Sequence, residues 1–389
     1  MSDEKSKLTY VITGGCGFLG QHLLRVLLEK EENVKEIRLF DKHIYPNLQH
    51  QSTVRPERRS VIEVYPVNNP LDGCSEYVKV VLTQGDITDY RSVQYAFKGA
   101  DLIIHTASLV DVWYRVPEKT INAVNVQGTE NVINACVENG IQYLIYTSSM
   151  EVVGPNVKGD TFVRGDEDTP YNVFHEMAYP KTKAAAEKMV LEANGTKVKG
   201  GATLYTCALR PTGIYGEQHQ LMKDFYKNGV RTHGWVIRGV PRNTEHGRVY
   251  AGNVAWMHLL AARALREHPE RLGGEFYFCY DDSPYKSYED FNMQFLSAFN
   301  FRALPLPVWV LWFIAWMNDL LRWLLKPFYN YTPLLNGYTL AVARTSFTVS
   351  TDKAFRHFQY QPLYSWEQCL ARTQSWVNTF PLETSTKNT

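Results

Sequence analysis

The sequence lacks an excess of charge of either sign. Its 389 residues include 41 Lys and Arg against 40 Asp and Glu, a net charge of +1. A general nucleic-acid binder needs a clustered basic surface, and the densest basic run, residues 55–59, is short and interrupted. We therefore expect no nucleic-acid partner. With 44% hydrophobic residues, the chain is long enough for one large α/β domain or two unequal ones.

The sequence also lacks paired cysteines and an apolar leader. Its six cysteines show no CxxC or metal-ligand spacing, so we expect reduced, mostly buried thiols and no bound metal. Residues 1–7 are charged and have no apolar core, unlike a cleavable signal peptide. These features predict a protein whose folded part faces the cytosol.

One uncharged run, residues 303–318, is rich in tryptophan but falls short of the ~20 apolar residues that cross a bilayer. Polar groups then recur at roughly helical spacing, so we predict a helix over about residues 305–326, starting at Pro307 and ending at Lys326. Three arrangements are open: the helix lies in the membrane interface, spans the membrane at a tilt, or covers an apolar substrate pocket. Its four tryptophans favour membrane attachment.

A dense glycine cluster lies at residues 14–20. Three glycines, spaced three apart, lie between an apolar run at residues 10–12 and a helix-like stretch at residues 21–28. In a strand–turn–helix unit, such glycines allow a tight turn, close approach of the backbone to a pyrophosphate and close helix–strand packing. The segment predicts a dinucleotide site formed by Gly14, Gly17, Phe18, Leu19 and Gly20.

An acidic residue ends the next apolar run. Asp41 follows residues 37–40 and lies 21 positions after Gly20, where the second strand of a βαβ unit presents a carboxylate to an adenosine ribose. The carboxylate accepts hydrogen bonds from both ribose hydroxyls and repels a 2′-phosphate, so the sequence favours NAD over NADP. Lys42 leaves two roles open: partial accommodation of a phosphate, or a solvated pair with Asp41.

Apolar runs alternate with helix-like stretches as far as residue 209. The later strand-like runs are residues 78–82, 102–105, 143–146 and 205–209. The alternation predicts a Rossmann-type, doubly wound parallel sheet with helices on both faces. After the third strand, Asp86 and Ile87 are expected at the adenine, although an aspartate there equally suits the N-cap of a helix over residues 90–97. After the fourth strand, Thr106 is expected beside the cofactor.

Three polar side chains stand in positions suited to proton transfer. Tyr179 and Lys183 share one face of a predicted helix, and Ser149 follows the strand at residues 143–146. Lowering the pKa of a phenol from ~10 by about 2 to 3 units needs roughly 3 to 4 kcal/mol. Lys183 and a positive nicotinamide ring are the expected sources. Ser149 then holds a substrate hydroxyl while Tyr179 removes its proton and the hydride leaves to the nicotinamide.

Together these segments resemble the extended short-chain dehydrogenases. The shared motifs are the glycine pattern, NVQGT at residues 125–129, Ser149, Tyr179 with Lys183, and RPTGIYG at residues 210–216. The resemblance implies an NAD-binding domain over residues 1–215 and a smaller, mainly substrate-binding region over residues 216–389. It also implies that Pro211 lies near the nicotinamide, and that Asn125 serves mainly structure.

Within that type, the chain resembles the 3β-hydroxysteroid dehydrogenase/Δ5-4 isomerase family nearly from end to end. The resemblance is carried by GGCGFLG at residues 14–20, YTSSMEVVGPN at 146–156 and HGRVY at 246–250. The chain also resembles the C27-sterol branch of this family, in the segments NVKG at 156–159, RGDEDTPY at 164–171 and FCYDDSPY at 278–285.

This resemblance implies an enzyme of the endoplasmic-reticulum membrane. It would use NAD to oxidise the 3β-hydroxyl of 7α-hydroxylated Δ5 sterols in bile-acid synthesis, with a shift of the double bond to Δ4. The implied partners are the sterol, membrane lipid and, left open, a second copy of the chain. Three further functions stay open: a steroid-hormone dehydrogenase/isomerase, a sterol-4-carboxylate decarboxylating 3-dehydrogenase, and a non-catalytic, NAD-gated scaffold.

Two departures from the family accompany the resemblance. Thr182 stands where relatives often carry serine, which should matter little. Residues 43–71 form an insert after the second strand, and its length leaves the loop near Asp41 open.

The sequence does not identify the second acid/base group that isomerisation needs. Glu151 is adjacent to the catalytic strand, but we expect an exposed charge or a structural pair there. Arg242, Asn243 and His246 lie in a candidate substrate segment, and each equally suits an ordinary loop.

Overall fold

A sheet of nine strands forms the centre of the fold. The computed structural model describes residues 7–44, 52–55, 60–67 and 76–381. The strands in chain order are β1 (Leu8–Thr13), β2 (Val34–Asp41), β3 (Ser52–Arg55), β4 (Ser60–Val67), β5 (Glu76–Gln84), β6 (Leu102–His105), β7 (Tyr143–Thr147), β8 (Phe162–Gly165), β9 (Tyr205–Pro211), β10 (Gly213–Tyr215), β11 (Trp235–Arg238), β12 (Arg248–Tyr250), β13 (Phe276–Cys279), β14 (Arg302–Pro305) and β15 (Phe347–Val349).

Helices connect these strands and cover the sheet. They are α1 (Phe18–Lys30), α2 (Tyr90–Ala96), α3 (Glu118–Asn122), α4 (Gly128–Asn139), α5 (Ala178–Glu192), α6 (Gln220–Arg231), α7 (Ala251–Glu267), α8 (Pro269–Leu272), α9 (Tyr288–Phe295), α10 (Val308–Leu325), α11 (Gly337–Ala343), α12 (Lys353–Phe358) and α13 (Trp366–Val377). A π-helical turn, Ala123–Gln127, joins α3 to α4, and a 3₁₀ turn, Met150–Val152, follows β7.

The order of the large sheet is β13-β9-β7-β6-β1-β2-β5-β4-β3. From β13 to β5 all neighbouring strands are parallel. The strand order reverses direction between β1 and β6, which is where a doubly wound sheet opens a crevice for a ligand at the carboxyl ends of its strands. The predicted Rossmann-type fold is confirmed, and each strand-like run of the sequence lies within a strand.

Neighbouring residues of the strands face opposite layers of helices. In β1 and β6, Val11 and Ile103 join a core with α2, α4 and α5, whereas Ile12 and Ile104 join a core with α1 and α7. A parallel strand covered on both faces has no solvent side, which is why these strands appear in the sequence as continuous apolar runs.

The predicted insert after β2 contains a hairpin. Strands β3 and β4 pair antiparallel, and β4 continues antiparallel onto β5, so the hairpin extends the sheet at its edge. The rest of the insert near Asp41, at residues 45–51, 56–59 and 68–71, lies outside the described residues, as does Cys74.

The second half of the chain does not form a separate body beyond residue 215. Strand β13 adds to the large sheet beside β9, and α7 packs on α1. A distinct aromatic core unites α6, α9 and α13 through residues such as Tyr226, Phe291 and Val377. The region after residue 215 thus supplies both part of the sheet and a smaller lobe next to it.

Helix α10 has the predicted limits, with Pro307 at its N-cap and Lys326 at its C-cap. Its buried residues are Leu311 and Ala315, which pack with Leu340 of α11. By length and composition, α10 is apolar enough to cross a membrane. Its tryptophans lie largely outside the protein core, with Trp309 72% exposed.

Candidate active site

The glycine turn lies between β1 and α1 at the crevice of the sheet. Gly14 has φ +70°, and a Cβ there would stand 2.9 Å from the backbone of Ala107. A Cβ at Gly20 would stand 2.4 Å from the Gly14 carbonyl oxygen. Only glycine fits at positions 14 and 20 without displacing backbone atoms. The turn can therefore be tight enough for its backbone to approach a ligand closely.

The N-terminus of α1 is open to an anion. Its N-cap is Gly17, no side chain of the described residues caps it, and its first turn carries no acidic residue. The first amides of a helix lack intrahelical partners and carry partial positive charge. This end of α1 therefore has the chemistry of a phosphate site, with Phe18 and Leu19 as its first helical residues.

Asp41 ends β2 beside this turn. Its Oδ2 accepts a hydrogen bond from the Cys16 amide at 3.0 Å, and its Oδ1 accepts one from the His43 amide at 3.1 Å. The Lys42 ammonium turns away to Asp86, at 3.0 Å, so the surface pair of Asp41 with Lys42 considered from the sequence is not the arrangement observed. The Asp41 carboxylate thus stays at the edge of the glycine turn.

The residues predicted at the adenine follow β5. Asp86 accepts hydrogen bonds from the amide and hydroxyl of Thr88, at 2.9 and 2.8 Å, while Asp89 caps α2 through the Arg91 amide. The two aspartates therefore have different roles, and Asp86 is not the cap. The Ile87 side chain packs closely on Gly128: a Cβ added at Gly128 would stand 2.6 Å from the Cδ1 atom of Ile87.

Thr106 and Pro211 lie at the carboxyl ends of β6 and β9, which are separated by β7. Thr106 follows β6, and its hydroxyl donates to the Thr13 carbonyl at 2.8 Å, beside Gly14. Pro211 ends β9. Because parallel strands end at one edge, the structure brings these residues to the same side of the sheet as the glycine turn.

Ser149, Tyr179 and Lys183 converge at this edge. Tyr179 and Lys183 lie one turn apart at the start of α5 and are both buried. The Lys183 ammonium donates to the Thr147 carbonyl at 2.6 Å, which fixes it under the end of β7. Ser149 caps the 3₁₀ turn after β7, and its hydroxyl lies near enough to the Tyr179 phenol to lower the pKa of that phenol. The trio expected from the sequence is thus brought together.

Burial dominates the electrostatics of this trio. It raises the pKa of Tyr179, the charge of Glu151 raises that pKa further, and the Ser149 hydroxyl lowers it. Burial also lowers the pKa of Lys183 to about 7, opposed by the charge of Glu187. The expected lowering of the Tyr179 pKa is therefore not present in the protein alone.

A layer of hydrogen bonds behind the trio positions α5. The Asn125 amide donates to the Thr182 hydroxyl at 3.1 Å, and that hydroxyl donates to the Tyr179 carbonyl at 2.9 Å. Asn125 also accepts from the Leu109 amide at 2.8 Å, which joins the segment after β6 to α5. A threonine at 182 supplies the same hydroxyl as a serine would.

Two supporting groups were not predicted from the sequence. His105 is fully buried between the hydroxyls of Thr13, at 2.6 Å, and Thr129, at 3.0 Å, and burial lowers its pKa to about 3. Arg210 and Glu187 form a buried, two-bonded ion pair at 2.8 and 2.5 Å. The signal for Arg210 was its place in the RPTGIYG motif, whereas His105 gave none beyond ending an apolar run.

Glu151 corrects an expectation from the sequence. It is neither an exposed charge nor half of an ion pair: its Oε2 is buried, and no atom of the described residues hydrogen bonds to it. Burial raises the pKa of this carboxyl to about 7. The Glu151 side chain is half-buried, and its Oε2, two residues from Ser149, has no hydrogen-bond partner among the described residues.

The residues of the candidate substrate segment differ in their exposure to solvent. Arg242 and Asn243 are exposed. His246 is buried and stacks on the ring of Tyr288, with ring centroids 3.8 Å apart. The charge of Glu151 acts on the pKa of Tyr288, so the His246 end of the segment lies toward the site.

Comparisons with known proteins agree with this geometry. Residues 11–307 match the 3-beta hydroxysteroid dehydrogenase/isomerase family. The sequence is 56% identical over 380 residues, 97% of each chain, to human "3 beta-hydroxysteroid dehydrogenase type 7". It is 40% identical over 370 residues, 95% of this chain and 98% of the other, to "3 beta-hydroxysteroid dehydrogenase/Delta 5-->4-isomerase" of vaccinia virus (strain Ankara).

Solved structures share the fold at low sequence identity. MoeE5 in complex with UDP-glucuronic acid and NAD has a TM-score of 0.65 and 16% identity over 95% of this chain and 99% of that one. UDP-glucose 4-epimerase of Thermus thermophilus in complex with NAD has a TM-score of 0.63 and 18% identity over 96% of this chain and 100% of that one.

Proposed function

This chain belongs to the 3-beta hydroxysteroid dehydrogenase/isomerase family, and on that premise we propose that it oxidises the 3β-hydroxyl of Δ5 sterols with NAD and shifts the double bond to Δ4. The observation that carries the proposal is the convergence of Ser149, Tyr179 and Lys183 at the sheet edge that holds the glycine turn. The proposed substrates are 7α-hydroxylated C27 sterols of bile-acid synthesis, on the strength of the C27-branch segments in the sequence.

The residues around the crevice fit NAD. The glycine turn and the open end of α1 suit its pyrophosphate, and Asp41 suits the adenosine ribose. Asp86 and Ile87 suit the adenine. The other proposed cofactor-binding residues, toward the nicotinamide end, are Thr106, Tyr179, Lys183 and Pro211. When bound, NAD supplies the hydride acceptor and a positive charge.

Tyr179 is the proposed proton acceptor. Ser149 holds the 3β-hydroxyl by a hydrogen bond, and Tyr179 takes its proton while Lys183 favours the phenolate. In the protein alone, burial holds the pKa of Tyr179 above its usual range. Lys183 and, when bound, the positive nicotinamide ring would supply charge that lowers this pKa.

We also propose that α10 attaches the protein to the endoplasmic-reticulum membrane, with the catalytic part in the cytosol. A sterol is almost wholly apolar and dissolves in the bilayer, so attachment places the enzyme where its substrate is concentrated. The exposed tryptophans of α10 support an interfacial position, since amphipathic rings favour the headgroup level. A tilted span would put α13 across the bilayer from α6 and α9, with which it packs in one core, so the interfacial helix is the arrangement that we propose.

The test is NADH formation by membranes that contain this protein, with the matched Tyr179→Phe protein as control. NAD is supplied with 7α-hydroxycholesterol, pregnenolone or a sterol 4-carboxylate, and the products are analysed for the Δ4-3-ketone. We expect activity on the first substrate. Preference for pregnenolone indicates steroid-hormone synthesis, release of carbon dioxide indicates the decarboxylating reaction, and no turnover on any of them contradicts an enzyme of this class.

A further inference from the structure

A buried arginine near the proposed site has no task in the oxidation. Arg248 lies in β12, and its side chain is only 8% exposed. Its Nε is inaccessible to solvent and donates to no atom of the described residues, and no carboxylate among them acts on its pKa. A guanidinium keeps its proton at neutral pH, so a positive charge is buried here. A buried charge is destabilising unless it is paired, which calls for an acceptor.

Two arginines of the central sheet show how this chain pairs a guanidinium elsewhere. Arg210 in β9 pairs with Glu187 at 2.5 Å, and Arg38 in β2 pairs with Glu36 at 2.6 Å. In each pair a carboxylate oxygen accepts from the guanidinium N–H groups. Arg248 has no such carboxylate. Its N–H groups are therefore left for an acceptor that the described part of the chain does not supply.

Aromatic rings and a glycine surround the Arg248 guanidinium. Its Cζ lies 4.4 Å from the ring centroid of Tyr288 and 5.0 Å from that of Phe291. The rings stabilise the cation, but they do not replace oxygen acceptors for its N–H groups. Gly213 stands opposite Arg248 in the pairing of β10 with β12, and a Cβ at Gly213 would lie 2.9 Å from Nη1. The glycine thus leaves room for the guanidinium.

One side of this arginine leads to the catalytic trio. Strand β10, which pairs with β12, begins two residues after Pro211, at the edge of the sheet where the trio lies. Burial raises the pKa of the Tyr288 phenol, the charge of Arg248 lowers it, and the charge of Glu151 raises it further. The charge of Glu151 also reaches Tyr179. A single aromatic ring, that of Tyr288, therefore stands between the guanidinium and a neighbour of the trio.

The other side leads to the cofactor end of the crevice. His219 stacks on Phe18 at the start of α1, with ring centroids 5.1 Å apart. Burial lowers the pKa of His219 to about 4, and the charge of Arg248 lowers it further. Arg248 therefore lies close both to the open end of α1 and to the tyrosine beside the trio. This position is next to the space that the reacting end of a substrate needs.

A 7α-hydroxylated sterol brings the acceptor that this place lacks. In the proposed reaction, Ser149 and Tyr179 hold its 3β-hydroxyl. C7 belongs to the ring fused to the one that carries C3, so the 7α-hydroxyl lies in the part of the steroid nearest to the trio. The side chain is attached at the opposite end of the ring system. Of the sterol's polar groups, the 7α-hydroxyl is thus the one that a cation next to the trio can reach.

We propose that Arg248 is a specificity-determining residue that donates hydrogen bonds to the 7α-hydroxyl of the sterol. This inference rests on the proposed function, because it requires the steroid C3 oxygen at Ser149 and Tyr179. A 7α-hydroxysterol pairs the buried donors, whereas a sterol without that hydroxyl leaves them unpaired. A site of this kind rejects the analogue that lacks a hydroxyl much more strongly than an apolar pocket rejects a missing methylene.

The test compares sterols that differ only at C7. 7α-Hydroxycholesterol, 7β-hydroxycholesterol and cholesterol share the ring skeleton, the side chain and the 3β-hydroxyl, and NADH formation gives kcat and KM for each. Wild-type protein is compared with Arg248→Met, which removes the charge and the donors, and with Arg248→Lys, which keeps the charge but not the planar fork. Arg242→Met is the matched control, because Arg242 is an exposed arginine shortly before β12.

We expect Arg248→Met to lower kcat/KM for 7α-hydroxycholesterol roughly 10- to 150-fold, mainly through KM, because hydrogen bonds to a charged group are lost. Its kcat/KM for cholesterol should match or exceed that of wild type, since no unpaired cation is covered. Arg248→Lys should recover part of the preference for the 7α epimer. Arg242→Met should match wild type with all three sterols, and the Kd for NAD should be unchanged in every variant.

Equal losses with 7α-hydroxycholesterol and cholesterol in Arg248→Met overturn the proposal, since they indicate a structural role. A wild-type protein without preference for the 7α-hydroxyl, or a preference that persists in Arg248→Met, overturns it as well. A raised Kd for NAD in Arg248→Met assigns the guanidinium to the cofactor instead. If the wild-type protein oxidises none of the sterols, the proposed function is contradicted. Equilibrium dialysis of the labelled 7α and 7β epimers against wild type and Arg248→Met, loaded with NADH, then still decides the role of Arg248.

Discussion

The two most apolar regions of this chain lie in opposite environments. In the central sheet, Ile103 and Ile104 are fully buried, because helices of the same chain cover both faces. Along α10, Trp309 and Trp323 are 72% and 70% exposed. The difference shows that apolar composition does not decide burial by itself: a partner surface does. The sheet region finds its partners within the chain, whereas α10 presents its apolar face outward, where we propose membrane lipid.

We place the catalytic chemistry at the edge of the sheet and not at α10. The variant Tyr179→Phe tests this placement and has the largest expected effect. Loss of the phenol removes the proton acceptor but little buried surface, so kcat should fall roughly 100- to 10,000-fold while NAD binding is retained. NADH formation and a direct NAD titration measure the two quantities. Retained turnover would mean that another group accepts the proton.

Removing a core side chain should affect the sheet and α10 unequally. Ile104→Ala leaves a cavity between covered layers and should lower the free energy of unfolding by roughly 2 to 5 kcal/mol. Trp309→Ala removes an exposed ring and should change it by less than about 0.5 kcal/mol. Denaturant unfolding in detergent measures both. Equal losses would contradict the contrast, since they would show that α10 is covered by protein.

Membrane attachment should depend on the exposed rings of α10. Replacing Trp309 and Trp316 by serine should weaken partitioning into lipid vesicles by roughly 2 to 4 kcal/mol, because each ring buries a large apolar area on insertion. Flotation measures the loss, and turnover in detergent should persist. Trp235→Ser is the matched control, as its ring is 44% exposed but lies in β11. An equal loss with the control would assign attachment to general surface hydrophobicity.

Cofactor selectivity should be the smallest of these effects. Asp41→Ala should raise the Kd for NAD by about 10- to 100-fold, since hydrogen bonds to a charged group contribute roughly 1.5 to 3 kcal/mol. It should also relax discrimination against NADP, whose phosphate the carboxylate repels. Asp41→Asn keeps an acceptor but removes the charge, and so separates the two effects. Unchanged cofactor preference in both variants would remove Asp41 from this role.

Much of the fold could be predicted because parallel strands leave a strong pattern. A strand buried on both faces is a continuous apolar run, so residues 102–105 are recognisable without a structure. The limits of α10 were recognisable because proline suits the start of a helix, as at Pro307, and because polar residues at helical spacing continue as far as Lys326. The sequence did not reveal that the region after residue 215 contributes to the central sheet. Strand β13 pairs with β9 although the two strands are far apart in the chain.

By itself, the sequence determined the strands that build the sheet, the glycine turn, and the identities of Ser149, Tyr179 and Lys183, because these depend on local spacing and on motifs. Only the tertiary structure decided that Lys42 pairs with Asp86 and that the Oε2 atom of Glu151 is buried without a hydrogen-bond partner among the described residues. Burial and ion pairing depend on which distant elements meet. The environment of Glu151 is set by α5, α9 and α11, and no local pattern around residue 151 encodes their approach.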